Sequence, residues 1–119
     1  MKRTVIGQQG EMKIYRIDAI PECELSTDIE RDSAGRPILS HSEKGHHHVL
    51  KGGADVMERT EGVPEGMRII YGIVKDPGAA LIQTVSDAHG QIDLPPGIYE
   101  FRRGREYNPF LEEARAIAD

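Results

Sequence analysis

The sequence predicts a mainly β fold, a compact antiparallel sandwich or partly closed barrel with one short C-terminal helix. Glycine (13 residues) and proline (7 residues) are spread along the chain at intervals that suit short strands and turns. Segments between them alternate apolar and polar residues or are rich in β-branched side chains. The length of 119 residues fits one domain with its own core, so residues 1–119 are assigned to a single β-rich domain.

Seven segments carry the patterns of β-strands. They are residues 12–17, 37–41, 46–50, 67–75, 79–85, 91–94 and 98–102. Ser42 to Gly45 is expected to close a hairpin, and Gly52-Gly53 to end the strand that follows it. Asp76-Pro77-Gly78 is expected to turn the chain in a further hairpin, because proline fixes φ and glycine accepts the next turn position.

The C-terminal segment carries a helix start signal. Asn108 can cap the first turn, and Pro109 suits the first helical position. Glu112 and Glu113 favour the positive end of the helix dipole. A short helix that docks an apolar stripe on the sheet is therefore expected there.

Charge and composition exclude several classes of function. The formal net charge is −5, so the chain repels phosphate backbones overall and nucleic-acid binding is disfavoured. No stretch approaches the 18 or so apolar residues that a membrane span needs. Cys23 is the single cysteine and cannot form an internal disulfide, which favours a cytoplasmic protein.

The clearest functional lead is a group of histidines. His46 and His48 are expected on the same face of a strand, roughly 6–7 Å apart, with His47 on the other face. Across the expected hairpin, His41 would lie opposite His46, and the fold could bring His89 to the same place. The predicted metal ligands are therefore His41, His46, His48 and His89.

Imidazole ligands favour zinc or another transition metal over magnesium or calcium. Glu43 and Asp87 are carboxylates near these histidines and could orient a ligand or act as a base. Two alternatives remain open at this point. The histidines could form a hydrogen-bonded polar surface patch, or they could bind a ligand without any metal.

A second cluster is basic. Arg102, Arg103 and Arg105 lie close together near the C-terminus and could contact an anion or, as a weaker option, a nucleic acid. The alternative is a solvated strand end at which these arginines pair with some of the 20 acidic residues.

Much of the chain resembles a group of small uncharacterised bacterial and phage-borne proteins. The resemblance rests on residues 9–11, 41–48, 89, 94–103 and 105–109. Their pattern of Gly-His-x-His, with a further histidine shortly before Leu-Pro-x-Gly-x-Tyr, corresponds to His46, His48 and His89, and Gly104 stands where the group usually has glutamine. The resemblance implies that these histidines form one site together with His41, and it implies no activity.

The function expected from the sequence is a small β-domain that binds a transition metal ion through a histidine cluster, with no enzyme assignment. The alternative is a non-enzymatic interaction or assembly protein of phage or prophage type, whose histidine-rich hairpin is a contact loop. A homo-oligomer or a protein partner is expected in that case, and no membrane is expected in either.

Overall fold

The computed structural model of the protein describes residues 2–41, 47–84 and 91–104. Within these ranges the chain forms eight β-strands and no helix, so the mainly β prediction is confirmed. The strands are β1 (Arg3–Gln9), β2 (Met12–Ile17), β3 (Leu25–Ser26), β4 (Ile38–His41), β5 (His47–Arg59), β6 (Arg68–Gln83), β7 (Ile92–Leu94) and β8 (Gly97–Arg103). The helix expected from Asn108 lies outside the described residues.

All eight strands belong to one antiparallel sheet. Neighbouring strands follow the order β1-β2-β8-β6-β5-β3, while β4 pairs with β5 and β7 pairs with β6. Because β1 and β3 end this order without pairing to each other, the sheet does not close into a barrel within the described ranges. No helix in these ranges is long and apolar enough to cross a membrane.

The two longest strands are irregular at the same level. Gly52 pairs with Ala79 and Ala54 pairs with Val74, so Gly53 alone stands opposite residues 75–78 of β6. The predictions of a strand end at Gly52-Gly53 and of a hairpin turn at Asp76-Pro77-Gly78 are therefore wrong. Both strands continue because they pair with each other on either side of this bulge, and the bulge only bends them.

The bend divides the sheet into two leaves. The long leaf contains β1, β2, β3, β8, β5 from Ala54 onward and β6 up to Val74. The short leaf contains β4, β7, β5 up to Gly52 and β6 from Ala79 onward. Along β6 the partner changes at the bend from β8 to β7, and residues 95–96 connect these two strands.

The two leaves enclose one hydrophobic core. Met12, Ile14 and Phe101 come from the long leaf, and Leu50 and Leu81 come from the short leaf, yet all five belong to one buried cluster. The leaves therefore pack face to face, as in a sandwich. A smaller cluster on the other face of the long leaf is formed by Ile17, Ile69, Tyr71 and the residues packed against them.

Candidate functional site

The register of β4 and β5 separates the histidines into two groups. His41 pairs with His47, and Ser40 pairs with His48. Directly opposite residues share a face and neighbours along a strand alternate, so His41 and His47 lie on one face and His48 on the other. The expectation that His41 lies across from His46 is wrong, and His41 does not share a face with His48.

The face that carries His41 and His47 points away from the core. Their ring centroids are 4.5 Å apart in an edge-to-face arrangement. Nε2 of His41 lies 2.8 Å from Oε1 of Glu30, and both of these side chains are substantially exposed. His41 and Glu30 thus form an exposed hydrogen-bonded pair, whereas His47 is half-buried and its Nδ1 is buried without a hydrogen-bond partner among the described residues.

His48 lies between the two leaves and is buried, with 4% of its surface exposed. Its Nδ1 lies 2.7 Å from Oε1 of Gln9, and Nε2 of Gln9 donates to the carbonyl oxygen of Leu81 at 3.3 Å. Because the Gln9 amide nitrogen already donates to Leu81, its oxygen accepts the Nδ1–H of His48. The neutral ring of His48 therefore carries its lone pair on Nε2.

Two of the described residues lie close to Nε2 of His48. Gly10, in the turn between β1 and β2, approaches so closely that a Cβ there would lie 3.2 Å from Nε2. The side-chain nitrogen of Gln83 lies 3.4 Å from Nε2, and Oε1 of Gln83 is buried with no hydrogen-bond partner in the part of the chain that the structure describes. A buried amide oxygen of this kind is costly unless another group satisfies it.

The strand ends beside His48 lead into two segments that carry further histidines. Thr84 donates its N–H to the carbonyl oxygen of His47 at 3.0 Å, and Oγ1 of Thr84 accepts the N–H of His47 at 3.2 Å. Residues 42–46 end at His47 and residues 85–90 begin after Thr84, so the two segments meet the sheet at neighbouring positions. His46, His89, Glu43 and Asp87 belong to these two segments and lie outside the described residues.

Part of the predicted ligand set is thus untested. Among the side chains that the structure describes, no three histidine, cysteine or acidic groups lie close enough together to hold a metal ion. A metal ion on His48 would therefore need ligands beyond the described histidine, cysteine and acidic side chains, and His46 and His89 remain the predicted ones. A site formed by His46, His48 and His89 therefore stays a prediction, whereas His41 lies on the opposite face of the sheet from His48.

The arginines near the C-terminus also separate by face. Arg102 donates from Nε to Oε2 of Glu100 at 2.7 Å, and Glu100 is fully buried. Arg103 lies on the opposite face of β8, with Phe101 of the core. Nε of Arg103 is buried without a hydrogen-bond partner in the described ranges, and Arg105 lies outside them.

The residues that the structure places around His48 are Gln9, Gly10 and Gln83, and none of them was predicted as a site residue from the sequence. Gln9 and Gly10 carry a signal, because they belong to a segment on which the family resemblance rests. Gln83 carries none, since an amide inside a strand pattern resembles an ordinary solvent-facing residue.

Comparison with known proteins gives one match. A family model with the description Domain of unknown function (DUF8820) matches residues 8–104. Neither the curated proteins nor the solved structures include a match. The matched range contains the whole of β2 to β8 and every residue around His48.

Proposed function

The chain belongs to the family described as Domain of unknown function (DUF8820), and we propose that it binds a transition metal ion, zinc by preference, through His48 between the two leaves. His46 and His89 are the proposed partner ligands. Imidazole nitrogen is a common zinc ligand and binds at about 2.0–2.1 Å.

The state of the His48 ring is the observation that carries this proposal. The Nδ1–H of His48 donates to Oε1 of Gln9 at 2.7 Å, which holds the ring in one orientation and one tautomer. Histidines that bind metals almost always donate their second ring nitrogen in this way, and the bond raises the basicity of the ligating nitrogen. Nε2, which lies 3.4 Å from the amide nitrogen of Gln83, is therefore the ring nitrogen through which His48 would bind a metal ion.

The surroundings of Nε2 fit a metal ligand as well. Gly10 has no side chain, and any Cβ at this position would crowd Nε2 at 3.2 Å. A rotation of the Gln83 amide would direct its buried, unpartnered oxygen toward the same region, where it could bind the ion or a metal-bound water. The residues that the structure describes thus supply one ligand and one further oxygen donor.

The positions of the two histidine-bearing segments support the choice of partners. Residues 42–46 and 85–90 attach to the sheet at His47 and Thr84, which hydrogen-bond to each other. Three protein ligands with an open position would make a catalytic type of site, and four would make a structural one. Glu43 and Asp87 remain candidates for orienting a ligand. We place this function in the cytoplasm, which the single cysteine, Cys23, supports.

Metal content tests the proposal directly. The untagged protein is purified without a metal column, and its metals are measured by elemental analysis together with its affinity for zinc. We expect about one metal ion per chain. We expect this metal to be lost in His48→Ala, and the zinc affinity to fall in His46→Ala and His89→Ala.

His47→Ala is the matched control, because His47 is the neighbour of His48 in sequence and faces the other side of the sheet. It should keep the metal, and so should His41→Ala. Gln9→Leu should weaken zinc binding about 10–100-fold because the ring loses its orienting acceptor, whereas Gln8→Leu should not. Equal zinc affinity in His48→Ala, His47→Ala and the wild type would refute the proposal. Circular dichroism verifies that each variant is folded.

A second candidate function follows from the edge of the sheet. β1 pairs only with β2 among the described strands, and it exposes Val5 (66%) and Ile6 (39%). An open strand edge with apolar side chains can pair with another chain. This favours, as the alternative, an interaction or assembly protein, for which the resemblance stated above suggests a phage or prophage type.

A further inference from the structure

One end of the space between the leaves is polar on both sides. On the long leaf, directly paired residues form the row Gln9, Met12, Arg103 and Arg68. On the short leaf, the corresponding row is Ser40, His48 and Gln83. The two rows face each other, because Gln9 contacts His48 and a terminal nitrogen of Arg68 donates to the carbonyl oxygen of Leu39 at 3.2 Å.

Two positive charges lie side by side in this region. Arg68 and Arg103 are directly opposite each other on β6 and β8, on the face that also carries Ile70 and Phe101 of the core. Like charges directly opposite one another on a sheet repel and destabilise it unless other groups neutralise them. Whether either arginine can bind a further anion therefore depends on how completely its charge is already neutralised.

Arg68 is well neutralised. One terminal nitrogen donates to Leu39, and the other lies 3.1 Å from Oε1 of Glu58. Arg103 is neutralised less completely. Its only described carboxylate contact is with Glu11, at 3.7 Å, which is longer than the 2.7–2.9 Å or so of a good charged hydrogen bond. Its Nε–H is buried and makes no hydrogen bond to any residue that the structure describes.

Arg102, the neighbour of Arg103 in the same strand, has an Nε–H with a hydrogen-bond partner. It lies on the other face of β8 and donates from Nε to Glu100 at 2.7 Å. The same carboxylate accepts from Nε of Arg3, also at 2.7 Å. The Nε–H of Arg102 is thus satisfied by Glu100, although the sequence places Arg102 in the same basic cluster as Arg103.

We propose that Arg103 binds a small anion, a phosphate or carboxylate group, at the polar end of the space between the leaves. The planar guanidinium offers Nε–H and a terminal N–H in a fork that matches two oxygens of such a group. The anion would satisfy the buried Nε–H and offset the repulsion between Arg103 and Arg68. The site does not depend on a metal ion at His48.

Phosphate binding by the metal-free protein tests this site. The full chain is treated with a chelator, and binding of inorganic phosphate is measured by calorimetry at low and moderate salt, with acetate in a parallel series. We expect one saturable site that weakens as salt rises, because the contact is partly exposed and charged. A preference for phosphate or for acetate shows which of the two groups the physiological ligand carries.

Arg103→Gln should weaken binding of the preferred anion about tenfold or more. Lys75→Gln is the matched control, because it removes the same charge from an exposed ion pair with Asp55 and should leave binding unchanged. Arg103→Lys keeps the charge and lacks the fork, so it should bind more weakly than the wild type. Thermal unfolding of each variant verifies its fold.

Three results would overturn the assignment. They are the absence of saturable binding of either anion at about millimolar concentration, equal binding by Arg103→Gln and the wild type, and equal binding by Arg103→Lys and the wild type. Because the protein is free of metal throughout, none of these results bears on the metal site. Loss of metal in the histidine variants likewise says nothing about the anion.

Discussion

At the scale of single residues, the site depends on the contacts of one ring. His48 takes its orientation from Gln9, which is itself held by the carbonyl oxygen of Leu81. Gly10 leaves space for the ring because it has no Cβ. Its φ of +60° is also a conformation that glycine adopts without strain. Each of these residues acts on the same imidazole from a different strand or turn, so a single substitution changes both packing and ligand chemistry.

Substitution at Gly10 separates these two effects. Gly10→Ala should lower the free energy of unfolding by more than Gly35→Ala does. Both glycines have positive φ, at a cost of about 1–2 kcal/mol for alanine, but only at Gly10 would the new Cβ press on His48. Chemical denaturation and zinc titration of both variants test this.

Gly10→Ala should also weaken zinc binding, whereas Gly35→Ala, with nothing within 4 Å of its new Cβ, should not. Equal losses of stability in the two variants, with zinc affinity unchanged in both, would contradict the role assigned to Gly10.

At the scale of elements, the bend in β5 and β6 builds the site. It folds the short leaf over the long leaf, and this brings His48 of β5 against Gln9 of β1. Gly52 has a φ of +115° at the bend, and a Cβ there would lie 2.8 Å from the carbonyl oxygen of Gly78. The close approach of these two strands therefore requires glycine at this position.

The adjacent glycines offer a matched test of the bend. Gly52→Ala should lower the free energy of unfolding by about 3 kcal/mol, because alanine adds backbone strain and a clash with β6. Gly53→Ala should change it by about 0.5 kcal/mol or less, since its Cβ would meet nothing within 4 Å. Urea denaturation measures both. Similar costs at the two positions would mean that the bend tolerates a side chain at Gly52.

At the scale of the whole molecule, β1 and β3 form the two open edges of the long leaf among the described strands. β1 is seven residues long, and its Arg3 reaches the buried Glu100 of β8, which fixes this strand to the rest of the long leaf. β3 at the other edge has only two residues. A bulge between Val5 and Gly7 interrupts the pairing of β1 with β2, and bulges at edges often limit pairing with other chains.

The assembly candidate makes a prediction about this edge. If β1 is a contact surface, the wild type self-associates with rising concentration, and Val5→Lys shifts it toward the monomer because a charge replaces an exposed apolar group. Leu25→Lys, at the β3 edge, is the control and should have no effect. Light scattering after gel filtration gives the masses. A wild type that stays monomeric at every concentration would contradict assembly through β1.

The β class, the presence of a hydrophobic core and most strand positions follow from the sequence. Alternation and β-branched runs depend only on neighbouring residues, so they can be recognised without the fold. The segments at 12–17 and 98–102 are confirmed almost residue for residue. β1 escaped prediction because an exposed edge strand has little need of an apolar face. The continuous β6 escaped prediction because proline and glycine act as a turn only when no long partner strand continues past them.

The sequence by itself also identified the histidines as the candidate metal ligands of this chain and located them in two segments. Only the tertiary structure decided which rings face inward. The register of β4 and β5 turned His41 and His47 outward and His48 toward Gln9, and side-chain alternation makes every such choice depend on a single residue of register. The same reason separates Arg102 from Arg103, since adjacent residues on a strand serve opposite faces of the sheet.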